Sequence, residues 1–456
     1  MPARLCIHDA LLVTHEAVRP GGVVVGDDGR IEALLAAGER AAARVSVDAR
    51  GRALFAGFVD GHVHMRDPGF PHKEDFASGT AAAAIGGVTT VLCMPNTNPS
   101  LRDLDGLAAA EAAARGRAFV DYGFEAAAGR DNLAALEPLW AAGVVSFETQ
   151  FSEAGPADVL DDDAALAAVL GEVGRLGALL GVYTGDQRAT AKRIELFRTA
   201  GRSDPMAYVE ARPVEWEVAG LERLVRVART TPARLLARQV SSAGGLGVLA
   251  AAKPTLDLAI EVTPHHLHLD AAAVGRHGRF ALMAPPLRFE QDVAAVRTAL
   301  AVGLADVVGS DHAPHAPAEK ETADLWQMPG GTPGLDTIVP AVLDLAARGV
   351  ISLERVAAVL GERPAALFGL ADRKGVLRPG ADGDLVLVDL AATRTVGPGD
   401  IRSRAAQGPF TGVTLRGWPV LTVRRGEVIA ADGKLCARTP AGQWQRRQLA
   451  AQEDAR

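Results

Sequence analysis

The 456-residue chain reads as an α/β protein: a (β/α)8 barrel with a small β domain formed from both chain ends. Three observations predict this. Short apolar runs alternate with Ala-rich amphipathic stretches through the middle of the chain, the pattern of a parallel sheet with crossover helices. Both ends are instead rich in short strands and Gly turns. The pair His62 and His64 follows an apolar run where the alternation begins, and barrel enzymes carry their chemistry where strands end.

In order along the chain, residues 1–53 form the first part of the small β domain, with GGVVVGDDGRIEALL reading as a hairpin around Asp-Asp-Gly. Residues 54–374 form the barrel. GVTTVLCMP is followed by LRDLDGLAAAEAAARG, FVDYGFEAA by AALEPLWAAG, and VVSFETQF, ALLGVYTG, ARLLARQVSS, DLAIEVTP and ADVVGSDHAPH continue the series to roughly eight units. Residues 375–440 return to strands in GVLRPGADGDLVLVDL and GVTLRGWPVLTVRRGEVIAADGK, which are expected to pair with the N-terminal strands. Residues 441–456 are a polar, Gln/Arg-rich tail expected to be partly disordered.

The composition, with 48% hydrophobic and 23% charged residues, is that of a globular protein with a sizeable core. A net charge of -7 offers no basic footprint, which argues against nucleic acid and anionic membrane as partners. Cys6, Cys93 and Cys436 are too scattered for a disulfide framework or a zinc cluster, so a reducing compartment, the cytoplasm, is expected. The N-terminus lacks a signal-peptide pattern, and no long uncharged apolar stretch predicts a membrane span.

Strand side chains repeat every two residues, so His62 and His64 share a face and could hold one ion together. The competing reading is two satisfied polar residues on a strand end. In VVGSDHAPH an aspartate, Asp311, emerges after an apolar strand; its carboxylate can bind a metal, accept a proton from water, or cap a helix. The predicted strand ends together gather His62, His64, Arg66, Asn96, Glu148, Tyr183, Gln239, Asp311, His312 and His315.

GFVDGHVHMRDPG, KEDFASGTAAAAIGGVTTVLCMPNTNP, EVTPHHLHL, APPLR and GSDHAPH, in this order, resemble the dihydroorotase branch of the cyclic amidohydrolases, a group that also contains hydantoinases and allantoinases. The resemblance runs from about residue 4 to residue 435 and implies a metal-dependent hydrolase barrel. It implies that His62 and His64 bind a first metal and that Asp311 binds it and shuttles the proton. Arg66, Asn96 and His315 match the group that holds a substrate carboxylate, a task suited to a planar guanidinium and neighbouring donors. Arg66 and His315 read alternatively as structural ion pairs.

The chain departs from that pattern in its middle third. Where the family carries a carboxylated lysine bridging two metals, VVSFETQF presents Glu148; where it carries two further histidines, Tyr183 and Gln239 stand. No histidine occurs between His72 and His265, and between Lys73 and Lys320 the only lysines are Lys192 and Lys253. The expected centre is therefore one divalent ion, zinc the best match, on His62, His64, Glu148 and Asp311. Glu148 reads alternatively as a surface acid. His265, His266 and His268 are expected to be buried and hydrogen-bonded. Ala284 replaces an asparagine expected to help recognise the ring amide, which weakens any inference about the ring.

Two functions follow. The first is a one-metal enzyme that opens or closes a small cyclic amide, dihydroorotate or N-carbamoyl-aspartate being the first choice and hydantoinase- or allantoinase-like imides the second. The other is a non-catalytic homologue serving as a structural partner of aspartate transcarbamoylase. A homo-oligomer, dimer or tetramer, is expected.

Overall fold

The chain ends build one sheet and the middle builds another. The computed structural model describes residues 2–153 and 159–447. The first sheet contains β1 (Ala3–Val13), β2 (Val18–Val25), β3 (Ile31–Leu35), β4 (Ala43–Asp48) and β5 (Ala53–Ala56). The second is wholly parallel where paired: β6 (Phe58–Val63), β7 (Val88–Cys93), β8 (Asp121–Ala127), β9 (Ser146–Gln150), β10 (Leu179–Tyr183), β11 (Arg234–Ala237), β12 (Leu258–Val262) and β13 (Val307–Val308). Each strand in this run pairs with its neighbours in sequence order. The circle closes where Val63 bridges His312 and the His64 amide donates to the His312 carbonyl at 2.8 Å. The predicted barrel fold is thus present.

The C-terminal strands β14 (Leu385–Thr395), β15 (Thr414–Arg424), β16 (Glu427–Ala431) and β17 (Lys434–Leu435) complete the first sheet, in the order β17-β16-β15-β14-β5-β1-β2-β3, with β4 also on β1. β5 joins the two ends of the chain, parallel to β1 and antiparallel to β14. At the junction of the two sheets Lys374, 1% exposed, reaches Asp121 on β8 (2.5 Å), Asp382 (2.8 Å) and Asp384 (2.7 Å). Its ammonium fills that acidic cluster, and the three carboxylates hold its pKa above the ordinary lysine value despite burial.

Aspartates open many of the crossover helices because their carboxylates accept the orphan amides of a first turn. Asp75 does so for helix Phe76–Gly86, accepting from the Ser78 amide at 2.8 Å, and Gly87, at φ 91°, ends that helix in the left-handed region. Asp103, Asp162 and Asp186 cap later helices in the same way. Helix faces bury against the outer faces of the strands in the largest apolar core.

Inside the barrel, Val59, Leu92, Val145, Leu179, Leu236 and Val307 meet Phe368 and Leu370, which plug the bottom. This apolar plug is the floor on which a polar layer rests. The first residues of the tail pack against the barrel. Trp444 lies edge-on to Phe124 at 5.4 Å between centroids, and Gln443 and Gln445 exchange backbone hydrogen bonds with Tyr122. An aromatic among the glutamines gives this segment apolar surface to bury. The expectation for residues 448–456 lies outside the described residues.

Candidate metal and substrate site

A cavity of about 330 Å³ opens at the C-terminal ends of the barrel strands. His62 and His64, rings 5.4 Å apart, both aim Nε2 at Asp311 Oδ1, at 3.4 and 3.2 Å. Their Nδ1 atoms face acceptors: His62 donates to Glu261 Oε1 at 2.7 Å and His64 to Asn96 Oδ1 at 2.6 Å. Each ring is thereby fixed with its proton on Nδ1 and the Nε2 lone pair turned inward, the form a metal ligand requires. The donor atoms of His62, His64 and Asp311 lie within 4.8 Å of one another. Two imidazoles and one carboxylate at this spacing fit a divalent ion.

The charges around the three donors act on each differently. Burial opposes charge on His62, but the Glu261 and Asp311 carboxylates outweigh it and raise its pKa. Burial also works against the Asp311 anion, and the two imidazoles overcome it, bringing its pKa down to about 2. Burial lowers the pKa of His64. Asp311 has φ 47°, a backbone strain that turns its carboxylate into the cavity instead of capping a helix.

Glu148 is brought to the same cavity but not to the three donors. It is 7% exposed, which excludes the surface-acid alternative. Its carboxylate accepts from Arg238, Nη2 to Oε1 at 2.6 Å and Nε to Oε2 at 3.1 Å. The expected fourth ligand is an ion-pair partner here because a guanidinium from β11's end reaches it first. Arg238 also binds Glu125 and Glu261 and lies over the Phe368 ring. Gly181 leaves room for this layer: a Cβ there would fall 2.1 Å from Glu148 Oε1. Burial pushes the Glu125 carboxyl well above its ordinary pKa.

Gln239, beside Arg238 in the chain, donates through Nε2 to Asp311 Oδ2 at 2.5 Å. Tyr183 lines the cavity, its phenol pKa pushed well above 10 by burial. Arg66 donates through Nε to the Pro314 carbonyl at 3.2 Å. Its Nη2 lies 3.3 Å from His315 Nε2, but that nitrogen carries the proton it gives to the Gly330 carbonyl at 3.1 Å, while His315 Nδ1 faces the Lys73 ammonium at 3.4 Å. Burial and the cations Arg66, Lys320 and Lys73 keep His315 neutral, its pKa near 2. Among the described residues, no carboxylate lies within ion-pair distance of Arg66, and burial lowers its pKa to about 10. It is an unpaired cation in the cavity wall. Asn96 lines the same wall, with its amide oxygen on His64.

Of the later histidines, His266 accepts from Thr263 Oγ1 at 2.8 Å and donates to Pro286 O at 3.2 Å, and His268 donates to Ala341 O at 2.8 Å. His265 is buried, but among the described residues its Nε2 has no hydrogen-bond partner, so it departs from the expectation of a bonded histidine. Sequence reasoning missed Arg238, Glu125 and Glu261. Their signal was charge inside apolar strands, in ARLLARQ, YGFEAA and AIEV.

A parallel barrel with two histidines at the end of its first strand and an aspartate after its last defines a hydrolase centre of the amidohydrolase type. The amidohydrolase family model matches residues 222–429 and the dihydro-orotase-like model residues 51–127. The chain is 37% identical to a dihydroorotase of Halobacterium salinarum over 88% of this chain and 94% of that one, and 33% identical to an allantoinase of Solibacter usitatus over 91% and 92%. The solved L-hydantoinase of Arthrobacter aurescens superposes with a TM-score of 0.94 at 29% identity, covering 98% of this chain and all of the other. The chain therefore belongs to the amidohydrolase family, in its dihydroorotase, hydantoinase and allantoinase group. It is a hydrolase acting on cyclic amides.

Proposed function

We propose that the chain is a one-metal cyclic amidohydrolase whose substrate ring carries a carboxylate, dihydroorotate and N-carbamoyl-aspartate being the pair that fits first. The observation that carries this is the unpaired Arg66 guanidinium in the same cavity as three converging donors. His62 Nε2, His64 Nε2 and Asp311 Oδ1 would hold the ion, and zinc suits two imidazoles and a carboxylate with a position left open. Bound there, such an ion supplies a Lewis acid and a more acidic water.

The chain's own residues do the rest. Arg66 presents both Nη groups to the carboxylate, and His315, neutral, is held beside it by Lys73 and Gly330 O. Asp311 takes the proton of the attacking water and gives it to the ring nitrogen as the carbon–nitrogen bond breaks; ring closure is the reverse. Gln239 keeps Oδ2 of that carboxylate in place.

A second reading, ring ureides without a carboxylate, draws on Ala284 and on the similarity to the L-hydantoinase. The three free cysteines fit a cytoplasmic setting. Among the described residues no helix is long and apolar enough to cross a membrane.

The test is elemental analysis of protein purified without chelators, with turnover on dihydroorotate, carbamoyl-aspartate, hydantoin and allantoin. One divalent ion per chain and highest kcat/KM on the acidic pair are expected. Two ions per chain, or a metal-free parent with no turnover, overturns the proposal, and preference for hydantoin or allantoin moves it to the second reading.

A further inference from the structure

Two consecutive residues at the end of β11 reach two of the three converging donors from opposite sides. Arg238, 1% exposed, uses all three guanidinium nitrogens. Nη1 donates to Glu261 Oε2 at 2.6 Å and to the Gly61 carbonyl at 2.8 Å, Nε and Nη2 hold Glu148, and Nη2 also holds Glu125. Glu261 passes this on, its other oxygen accepting from His62 Nδ1 at 2.7 Å. His62 is thus gripped through its ring by Glu261 and through the preceding peptide by Gly61. Gln239, at φ 51°, turns the other way and ties Asp311 Oδ2 at 2.5 Å, leaving Oδ1 to face the imidazoles.

We propose that Arg238 and Gln239 are the positioning residues of the metal centre: Arg238, through Glu261, sets the tautomer and orientation of His62, and Gln239 sets which oxygen of Asp311 is presented. This rests on the metal-centre reading above for what the donors bind, but not for how they are held. Arg238 acts through Glu261, and Gln239 acts through the Asp311 carboxylate. Arg238 is a fixed cation held against Glu148 and Glu261, and its grip keeps Glu148 off the ligand set. A ring whose Nδ1 has lost its carboxylate is free to rotate and to move its proton to Nε2, which removes the lone pair a metal needs.

The experiment uses the full chain and the variants Arg238→Met, Glu261→Gln and Gln239→Leu, with Lys374→Met as a control that breaks a buried ion cluster elsewhere. Three quantities are read: the His62 tautomer by nitrogen-15 NMR of the metal-free protein, zinc affinity by chelator competition, and the visible spectrum of the cobalt(II) form. In the parent, at a pH where the His62 ring is neutral, the proton sits on Nδ1. Arg238→Met and Glu261→Gln should mix the tautomers and weaken zinc binding by about ten- to a hundredfold, the usual effect of losing a ligand's outer partner. Gln239→Leu should keep the tautomer, weaken zinc by a similar factor and shift the cobalt bands. Lys374→Met should lower stability and leave tautomer, affinity and spectrum alone.

Folded variants with the parent's tautomer and zinc affinity overturn the proposal. If Arg238→Met does not fold, the nearly isosteric Glu261→Gln decides. A parent that binds no zinc but shows the fixed tautomer, lost in Glu261→Gln, upholds the positioning and removes the metal-centre reading instead.

Discussion

Replacing Arg66 by methionine separates recognition from structure, because the structure gives the two roles opposite signatures. Of the guanidinium's five N–H groups, one is spent on Pro314 O, and His315 Nε2, itself a donor, accepts none. Both Nη atoms are left for a ligand. Two charge-assisted bonds to a carboxylate contribute about 2–4 kcal/mol after the exchange with water, which is roughly 30- to 900-fold in kcat/KM at about 1.4 kcal/mol per decade. Stability should move little or improve, since the variant removes a half-buried cation with, among the described residues, no carboxylate at ion-pair distance, one whose pKa burial has already lowered to about 10. The assay is kcat/KM on dihydroorotate and on hydantoin at equal metal loading, with the melting temperature alongside. A large loss on the acidic ring, little on the neutral one, and an undiminished melting temperature are expected. Equal losses on both rings, or a lowered melting temperature with unchanged preference, would show that Arg66 braces the fold.

Three further outcomes follow from buried charge. Asp336 has its pKa raised to about 6 by burial, with one oxygen on the Arg402 amide and the other without a partner. A folded pKa above the unfolded value near 3.8 means that its stability contribution is present below pH 4 and lost as pH rises through 6, about 3 kcal/mol in all; Asp336→Asn should therefore gain on the parent in denaturant melts between pH 4 and pH 7, and a constant difference refutes this. Lys374→Met strands Asp121, Asp382 and Asp384 and should cost about 3–5 kcal/mol in urea unfolding; a neutral change would show that the cluster does not tie the two sheets together. Tyr183→His with Gln239→His should add no tight second ion, because Arg238 already binds the carboxylates beneath it; two equivalents of zinc per chain by elemental analysis would contradict that.

The barrel was legible because its cause is local: strand and helix periods alternate along the chain, and the aspartates that cap the helices sit where the pattern turns. The histidine pair and Asp311 were legible for the same reason, each lying just after an apolar run. The partner of Glu148 was not. Arg238 stands 90 residues away, and its bonds to Glu125, Glu148 and Glu261 join four strands that only barrel closure brings together. Hydropathy assigns those charges to strand ends facing solvent, whereas Gly181 leaves a space inside in which Glu148 meets Arg238. Asn96 shows the same limit. The family resemblance implied a contact to substrate, and only the fold reveals that its oxygen faces His64.

The sheet that unites the two chain ends also sets a schedule for synthesis. All four side chains of β5 are buried, and one of its edges belongs to β14. β5 ends at Ala56 and β14 begins at Leu385, so about 330 residues leave the ribosome between them, roughly 15–65 s at about 5–20 residues per second. Throughout that interval the nascent N-terminal sheet presents an apolar strand with an unpaired row of backbone donors and acceptors, the surface on which strands of other chains add. Slower, cooler translation lengthens the wait but weakens the apolar association that exploits it. A chain stopped after the barrel, at residue 375, keeps that edge open permanently.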